Sequence, residues 1–541
     1  MAAGPAVTSV AGLLERSARD TPDRSAVVVD GRTWSYADLW HGARIAASAL
    51  RRAGVRAGET VVIAVPNGAG FFLAFFGTLI CGGIAVPVFP RSAPEHLSRL
   101  ARLAGASALV VPATLAATDL GMLAARSARD GRTLLTVADL GSSGPPAPAR
   151  TGADDPERPC YIQFTSGSTA DPRGVIITHR ALLANIAQMT EAMAITPADV
   201  FVSWLPTYHD MGLTLMALTP FSLGARLVLL PTDLRDVVGW LRAIQVHRGT
   251  FTAGPDFAYR LCLRNVRQPE RFDLSSLQVA MNASEPVRAA TLARFEAAFG
   301  VRRVMMAGYG LAEATLSVTC TSRGEHIDVD ERGLVCLGQA MPGASVRIVG
   351  PAELPPGQTG EIVVAGPATC SGYHRNPAAT AELAWSDGYV RTGDLGYLDR
   401  AGRLYFVARR KDVIKLAGRS LYPQEVESLV DEIAGIRLSA AVGIDRGGVE
   451  GEQLYVFAEA RQADTAAPAD LQALAMAMVG ELHAALGLRP RATLLLRTRR
   501  IPLTSNGKLR RAALRDAFLD GSLTPGPDIV YPPPARPAAM P

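Results

Sequence analysis

Residues 164–179 read FTSGSTADPRGVIITH. Thr165, Ser166, Ser168 and Thr169 surround Gly167, and the turn pair Asp171-Pro172 leads into Arg173-Gly174. Residues 161–164 (YIQF) before the loop and 175–177 (VII) after it have strand character, and a helical pattern starts at Arg180. A loop of small residues between two strands can turn several backbone N–H groups and hydroxyls toward one anion. Arg173 adds a positive charge. This strand–loop–strand–helix unit therefore reads as a wrap for a polyphosphate. The order G-x-x-x-x-G-K-S/T is missing, which excludes a Walker A loop.

Working outward, the chain of 541 residues is too long for one ordinary core, so two or more domains are expected. Apolar residues make up 48% and mean hydropathy is +0.15. A net charge of +5 with no basic run between aromatics argues against nucleic acid as partner. Six scattered cysteines without a C-x-x-C pair read as buried thiols of a reducing, cytoplasmic compartment. No signal peptide is recognisable at the N-terminus. The most apolar stretch, residues 71–88, is interrupted by Gly77, Gly82, Gly83 and Pro87, so it reads as a helix and a buried strand, with no membrane span.

Upstream, helical spacing over residues 10–19 stops at Thr21-Pro22. Residues 26–29 and 33–36 read as strands, and Ser35 is placed to cap a helix over 36–53. Residues 60–65 form a near-continuous apolar strand, as expected where both sheet faces are covered. Helix and strand alternate to about residue 310, which predicts α/β layers with mainly parallel strands. Residues 142–159, rich in Gly, Pro and Ala, read as a surface connection.

The loop at 164–179 resembles the phosphate-binding signature of the adenylate-forming superfamily: acyl-CoA synthetases, peptide-synthetase adenylation domains, luciferases and fatty acyl-AMP ligases. Arg173 stands where that family usually has lysine. Further matches follow in order. Residues 203–213, SWLPTYHDMGL, resemble the fatty acyl-AMP ligase branch, in which the histidine sits beside the acyl-adenylate. His209, Asp210 and Met211 are thus candidates for acyl contact. On residue type alone, His209-Asp210 equally suits a loop-bracing hydrogen bond. No G-x-S-x-G accompanies them, which disfavours a hydrolase triad, and the Phe-Asp context of amino-acid-activating domains is absent. Residues 254–262, GPDFAYRLC, offer Phe257, Ala258, Tyr259 and Leu261 as acyl-tunnel liners or as core. Ala283-Ser284-Glu285-Pro286 resembles the segment along the adenine.

Residues 308–315, GYGLAEAT, supply Gly308 toward the acyl group, Tyr309 to stack on adenine, Gly310, Leu311 and Ala312 for close backbone approach, and Glu313 to hold Mg²⁺. The interval 317–336 is short. The branch usually carries an insertion there that restrains the small domain, so the acceptor thiol is left open between carrier protein and CoA. Thr392-Gly393-Asp394 exposes a carboxylate suited to bridge two ribose hydroxyls. Arg409 matches the ribose contact of the superfamily, and Lys411 its hinge. Residues 501–511, IPLTSNGKLRR, match its catalytic lysine motif, with Lys508 as the catalytic residue beside His209 and Glu313.

The resemblance implies a large N-terminal adenylation core (1–410), a small mobile α+β lid (411–524) and a Pro-rich structureless tail (525–541). It implies ATP and Mg²⁺ as cofactors. A fatty or related carboxylic acid would be activated to acyl-AMP, then passed to an acyl carrier protein in polyketide or lipopeptide assembly. CoA is the alternative acceptor.

Overall fold

The computed structural model describes residues 7–141, 145–148, 155–165, 172–233, 236–416, 419–445, 451–504 and 509–532. Short β-rich apolar runs form two large sheets. The nine-stranded sheet has six consecutive parallel strands: Met305–Gly310, Val279–Asn282, Phe251–Gly254, Val200–Ser203, Arg226–Leu229 and Ser25–Val29. Antiparallel strands close both edges: Arg32–Ser35 on one side, Ser317–Cys320 then Gln339–Ala340 on the other. The six-stranded sheet orders Thr133–Thr136, Ala108–Val111, Thr60–Ile63, Ile84–Pro87, Pro159–Thr165 and Arg173–Thr178, all parallel except the last pair. The expected mainly parallel α/β layering is therefore present.

Helices Tyr36–Arg52 and Ala69–Ile80 share one core with strands of both sheets, filled by Phe71, Phe72, Phe75 and Phe76, all fully buried. Ser35 caps the first of them as expected, its hydroxyl accepting from Asp38 N at 3.0 Å while the Asp38 carboxylate accepts from Ser35 N. The apolar stretch at 71–88 divides into that second helix and the strand Ile84–Pro87. No described helix is long and apolar enough to cross a membrane. All six cysteines are free, five of them buried.

A four-stranded antiparallel sheet, Ser345–Val349, Gly360–Ala365, Val390–Leu398 and Leu404–Arg409, forms the β-rich subdomain. The C-terminal body has its own apolar clusters around strands Ile436–Asp445, Glu452–Ala460 and Ala492–Leu496, and helix Pro468–Leu486. Its sheet corrects one expectation. Residues 525–532 are no structureless tail, because strand Ile529–Tyr531 pairs antiparallel with Leu495 and Leu496 and buries Ile529. The proline content hid a three-residue strand whose apolar side completes the small sheet. Residues 533–541 lie outside the described residues.

Candidate active site

Strand Met305–Gly310 carries the GYG segment to its end. It can do so because Gly310 lacks a side chain: a Cβ there would lie 1.8 Å from the Leu316 carbonyl oxygen of the returning strand. Tyr309 is buried beneath Phe406, the two rings stacked at 6.2 Å, and its hydroxyl donates to Asp394 Oδ2 at 2.8 Å. Burial, and then the Asp394 carboxylate, raise the phenol well above its ordinary value, so it remains a donor. Asp394 sits opposite Arg409 in the hairpin register, and Arg409 Nε approaches its Oδ1 at 3.7 Å. Tyr309, Asp394 and Arg409, separated by up to a hundred residues in sequence, thus meet at one end of a cleft of 1990 Å³. Lys411 lines the same cleft on a short turn, Arg410–Asp412, and burial, then Arg409, lower its ammonium pKa.

Gly308, Leu311, Ala312 and Glu313 also line the cleft. Glu313 Oε1 accepts a hydrogen bond from Tyr373 Oη at 2.7 Å, a partner that no local signal in the sequence announced. Thr165 and Arg173 pair as register neighbours where the loop of small residues leaves the sheet. The Arg173 guanidinium lies 5.4 Å from the Tyr373 ring centroid. Ser166, Gly167, Ser168 and Thr169, the rest of the expected loop, lie outside the described residues, as does Lys508. The neighbours of Lys508, Thr504 and Leu509, line the cleft together with Asp394.

The loop before residue 211 is braced by Asn67, which donates to Leu205 O and Leu230 O and accepts from Thr207 N at 2.9 Å. Sequence reasoning missed this residue. His209 Nδ1 lies 2.6 Å from Asp210 Oδ1, which also accepts from Met211 N at 2.7 Å. The pair therefore does brace the loop, and His209 lines the cleft as well. The next segment, Met211–Leu218, is a fully buried π-helix with wide turns. Such segments recur at functional sites. Its start needs Gly212, where a Cβ would stand 2.1 Å from Pro206 O.

Ala283, Ser284, Glu285 and Pro286 line the cleft. Ser284 takes a left-handed φ of 74°, costly for a residue with a side chain. Glu285 accepts from Phe257 N at the start of helix Asp256–Asn265. Burial, then the Asp256 carboxylate, push its pKa up to about 7. Phe257 and Leu261 face the cleft. Ala258 and Tyr259 do not line a tunnel: both are buried in the core, and Tyr259 Oη donates to Met281 O at 2.8 Å. The apolar wall is instead completed by Met189, Met193, Leu215, Met281 and Leu316, which the sequence pattern did not single out.

The cleft therefore joins a polar end, able to hold a nucleotide between an aromatic ring, a carboxylate and cations, to an apolar end. Residues 14–374 match the family described as AMP-binding enzyme. A putative acyl-CoA synthetase of Caulobacter vibrioides is 32% identical over 90% of each chain. A medium-chain-fatty-acid–[acyl-carrier-protein] ligase of Teredinibacter turnerae is 30% identical over 86% of each chain. Among solved structures, one from a study of fatty acyl-adenylate ligases from E. coli and L. pneumophila superposes with a TM-score of 0.85. It is 26% identical and covers 96% of this chain and 99% of its own. The chain belongs to the AMP-binding enzyme family, the adenylate-forming ligases.

Proposed function

We propose that this ligase activates a fatty acid to acyl-AMP and then passes the acyl group to the phosphopantetheine thiol of an acyl carrier protein. The supporting observation is that one cleft is lined both by Asp394, Glu313 and His209 and by the apolar side chains of Met189, Met193 and Leu215. A nucleotide fits the first end and an alkyl chain the second. In the first step a carboxylate oxygen attacks the α-phosphorus of ATP, and the bond to pyrophosphate breaks. Two anions approach one another, so fixed cations lower the barrier. Lys508 supplies the charge at the α-phosphate, and Arg173, with residues 165–169, holds the leaving phosphates. Tyr309, Asp394 and Arg409 fix the nucleoside, and Ser284 to Pro286 lie along the base. His209 stands at the acyl carboxyl. Positioning and electrostatics suffice, with no covalent enzyme intermediate.

Glu313 fits the nucleotide's Mg²⁺. Mg²⁺ is commonly bound by one or two carboxylates together with substrate phosphates, and Glu313 lines the cleft with Tyr373 engaging only its Oε1. The ion would neutralise phosphate charge there. In the second step the thiol sulfur attacks the acyl carbon and AMP leaves, after the C-terminal body turns about Lys411.

Transfer to free CoA is the second reading, favoured by one observation. Residues 321–338 hold no inserted unit. They lie flat on the β-rich subdomain, where Tyr397 Oη donates to Asp330 at 2.7 Å and Leu337 N to Leu404 O at 2.8 Å. The test is a product assay with ATP, Mg²⁺ and linear acids of rising length, resolved by mass. It is run alone, with CoA, or with a holo-carrier protein, and with Lys508→Ala as control. Acyl-AMP that persists beside CoA and is consumed by the carrier supports the first reading; rapid acyl-CoA formation replaces it with the second.

A further inference from the structure

The segment that follows strand Gly360–Ala365 touches both halves of the phosphate end. Its backbone is laid along strand Arg173–Thr178: Ile176 N donates to Gly372 O at 2.9 Å and His374 N to Gly174 O at 2.7 Å. The same segment holds the turn that carries Glu313, through Cys370 N to Glu313 O at 2.8 Å and Thr315 Oγ1 to Ala368 O at 2.7 Å. Tyr373 lies where the two meet. It is buried to 8% exposure, and Thr380 Oγ1 accepts from its backbone N at 2.9 Å. Its hydroxyl reaches Glu313 Oε1 at 2.7 Å, and its ring carries the Arg173 guanidinium at 5.4 Å. Glu382 approaches Arg173 from the outside at 4.0 Å.

We propose that Tyr373 is a positioning residue of the adenylating step: its hydroxyl aims the Glu313 carboxylate at the nucleotide's divalent cation, and Arg173, placed over its ring, holds that alignment. The proposal rests on the adenylating reading above. The chemistry of the contact favours it. A neutral O–H donor fixes one carboxylate oxygen without competing in charge with a cation on the other. Partners of this kind tune metal ligands strongly. Mg²⁺ also demands near-ideal geometry, so a carboxylate free to rotate serves it poorly.

The pair with Arg173 explains a departure of this chain. A planar guanidinium can lie over an aromatic face while its N–H groups point elsewhere, which the compact ammonium of lysine does less well. Arg173 in place of lysine is thereby matched to Tyr373. One guanidinium serves the phosphates and also clamps the ring that orients the metal carboxylate.

The test uses the full chain and Tyr373→Phe, which keeps the ring and removes only the hydroxyl. Binding of a fluorescent ATP analogue is titrated with Mg²⁺, and AMP binding is measured without metal. The expected result is a rise of about tenfold in the Mg²⁺ concentration for half-maximal nucleotide binding, with AMP affinity unchanged. Pyrophosphate exchange should show the same shift in Mg²⁺ requirement. In a Glu313→Gln background Tyr373→Phe should have no further effect, and Arg173→Lys should raise the Mg²⁺ requirement only while the ring at 373 is present. An unchanged Mg²⁺ requirement in Tyr373→Phe, an equal loss of AMP binding, or additivity with Glu313→Gln each overturns the proposal. A wild-type chain that makes no acyl-AMP, yet shows the Mg²⁺ shift on Tyr373→Phe, would refute the acid-activating reading while supporting the positioning role.

Discussion

Asp394 receives the Tyr309 hydroxyl on one oxygen and faces Arg409 with the other, and it is only 9% exposed. On the proposed reading, ribose hydroxyls would donate to a carboxylate that is already oriented, hydrogen bonds of the stronger charge-assisted kind. Asp394→Ala is expected to raise the KM for ATP by about tenfold or more, the worth of one such bond. An unchanged KM would remove Asp394 from the nucleotide site. Glu285 offers a pH signature. Its folded pKa of about 7 lies above the model-peptide value of 4.5, through burial first and then Asp256, with Arg260 and Arg288 pulling the other way. The folded state therefore binds the extra proton. Its favourable contribution is complete below pH 4.5 and is lost as pH rises toward 7. Glu285→Gln keeps an acceptor for Phe257 N and should flatten that decline, by on the order of 2 kcal/mol at pH 8. Denaturant melts at pH 5 and pH 8 read it. Parallel pH profiles for the two proteins would show that Glu285 does not titrate in this window.

At the scale of elements, one buried ion cluster knits the C-terminal body together. Arg511, at the start of helix Arg511–Leu519, meets Glu427 on helix Pro423–Asp431 through two bonds of 2.7 and 2.6 Å, and Asp412 in the hinge turn at 3.0 Å. One buried guanidinium so ties helix Arg511–Leu519 to helix Pro423–Asp431 and to the turn Arg410–Asp412. Breaking such a pair strands a buried carboxylate, which costs about 3–5 kcal/mol. Arg511→Ala should lower the melting transition of the C-terminal body by that amount, and a shift under about 1 kcal/mol would mean that Glu427 finds another partner. None of this was visible in the sequence, because Arg511, Glu427 and Asp412 come together only through tertiary folding. What was legible is local. The Ser35 cap and the apolar strand at residue 60 announced themselves through propensity and spacing, and the Gly-Tyr-Gly run through its family resemblance. The π-helix after Asp210 did not, because its wide turns answer to burial around Thr214 and Leu215, and apolar periodicity cannot separate it from an ordinary helix. Tyr259 was offered as a tunnel liner since an aromatic on a helix suits tunnel and core equally. Its hydroxyl bond to Met281 O decided for core.

Across the whole molecule the two bodies are joined by charge. Arg288 donates to Asp431 Oδ2 at 2.8 Å, and Arg260 stands 3.7 Å from the same oxygen, while Ser439 Oγ donates to Oδ1 at 2.8 Å. The Asp431 side chain is 3% exposed, so this contact is screened little by salt. It belongs to the arrangement in which Thr504 and Leu509, on either side of the Lys508 segment, line the cleft with Asp394. On the proposed two-step reading, rotation of the C-terminal body would part Asp431 from both arginines. The same arginines also face Asp256, at 3.1 Å from Arg260 and 3.8 Å from Arg288, and the Glu285 carboxylate. Removing one charge of a buried pair typically costs about 2–5 kcal/mol. Asp431→Asn takes that amount from the contact between the bodies and leaves Tyr309, Asp394, Glu313 and Arg409 unchanged. The KM for ATP should then rise, and acyl transfer to the thiol should gain on adenylation in single-turnover assays. Amide exchange over helix Pro423–Asp431 should quicken in the absence of ligands. An unaltered ratio of the two half-reactions, with unaltered exchange, would assign Asp431 to local packing and leave the timing of rotation to the hinge turn around Lys411.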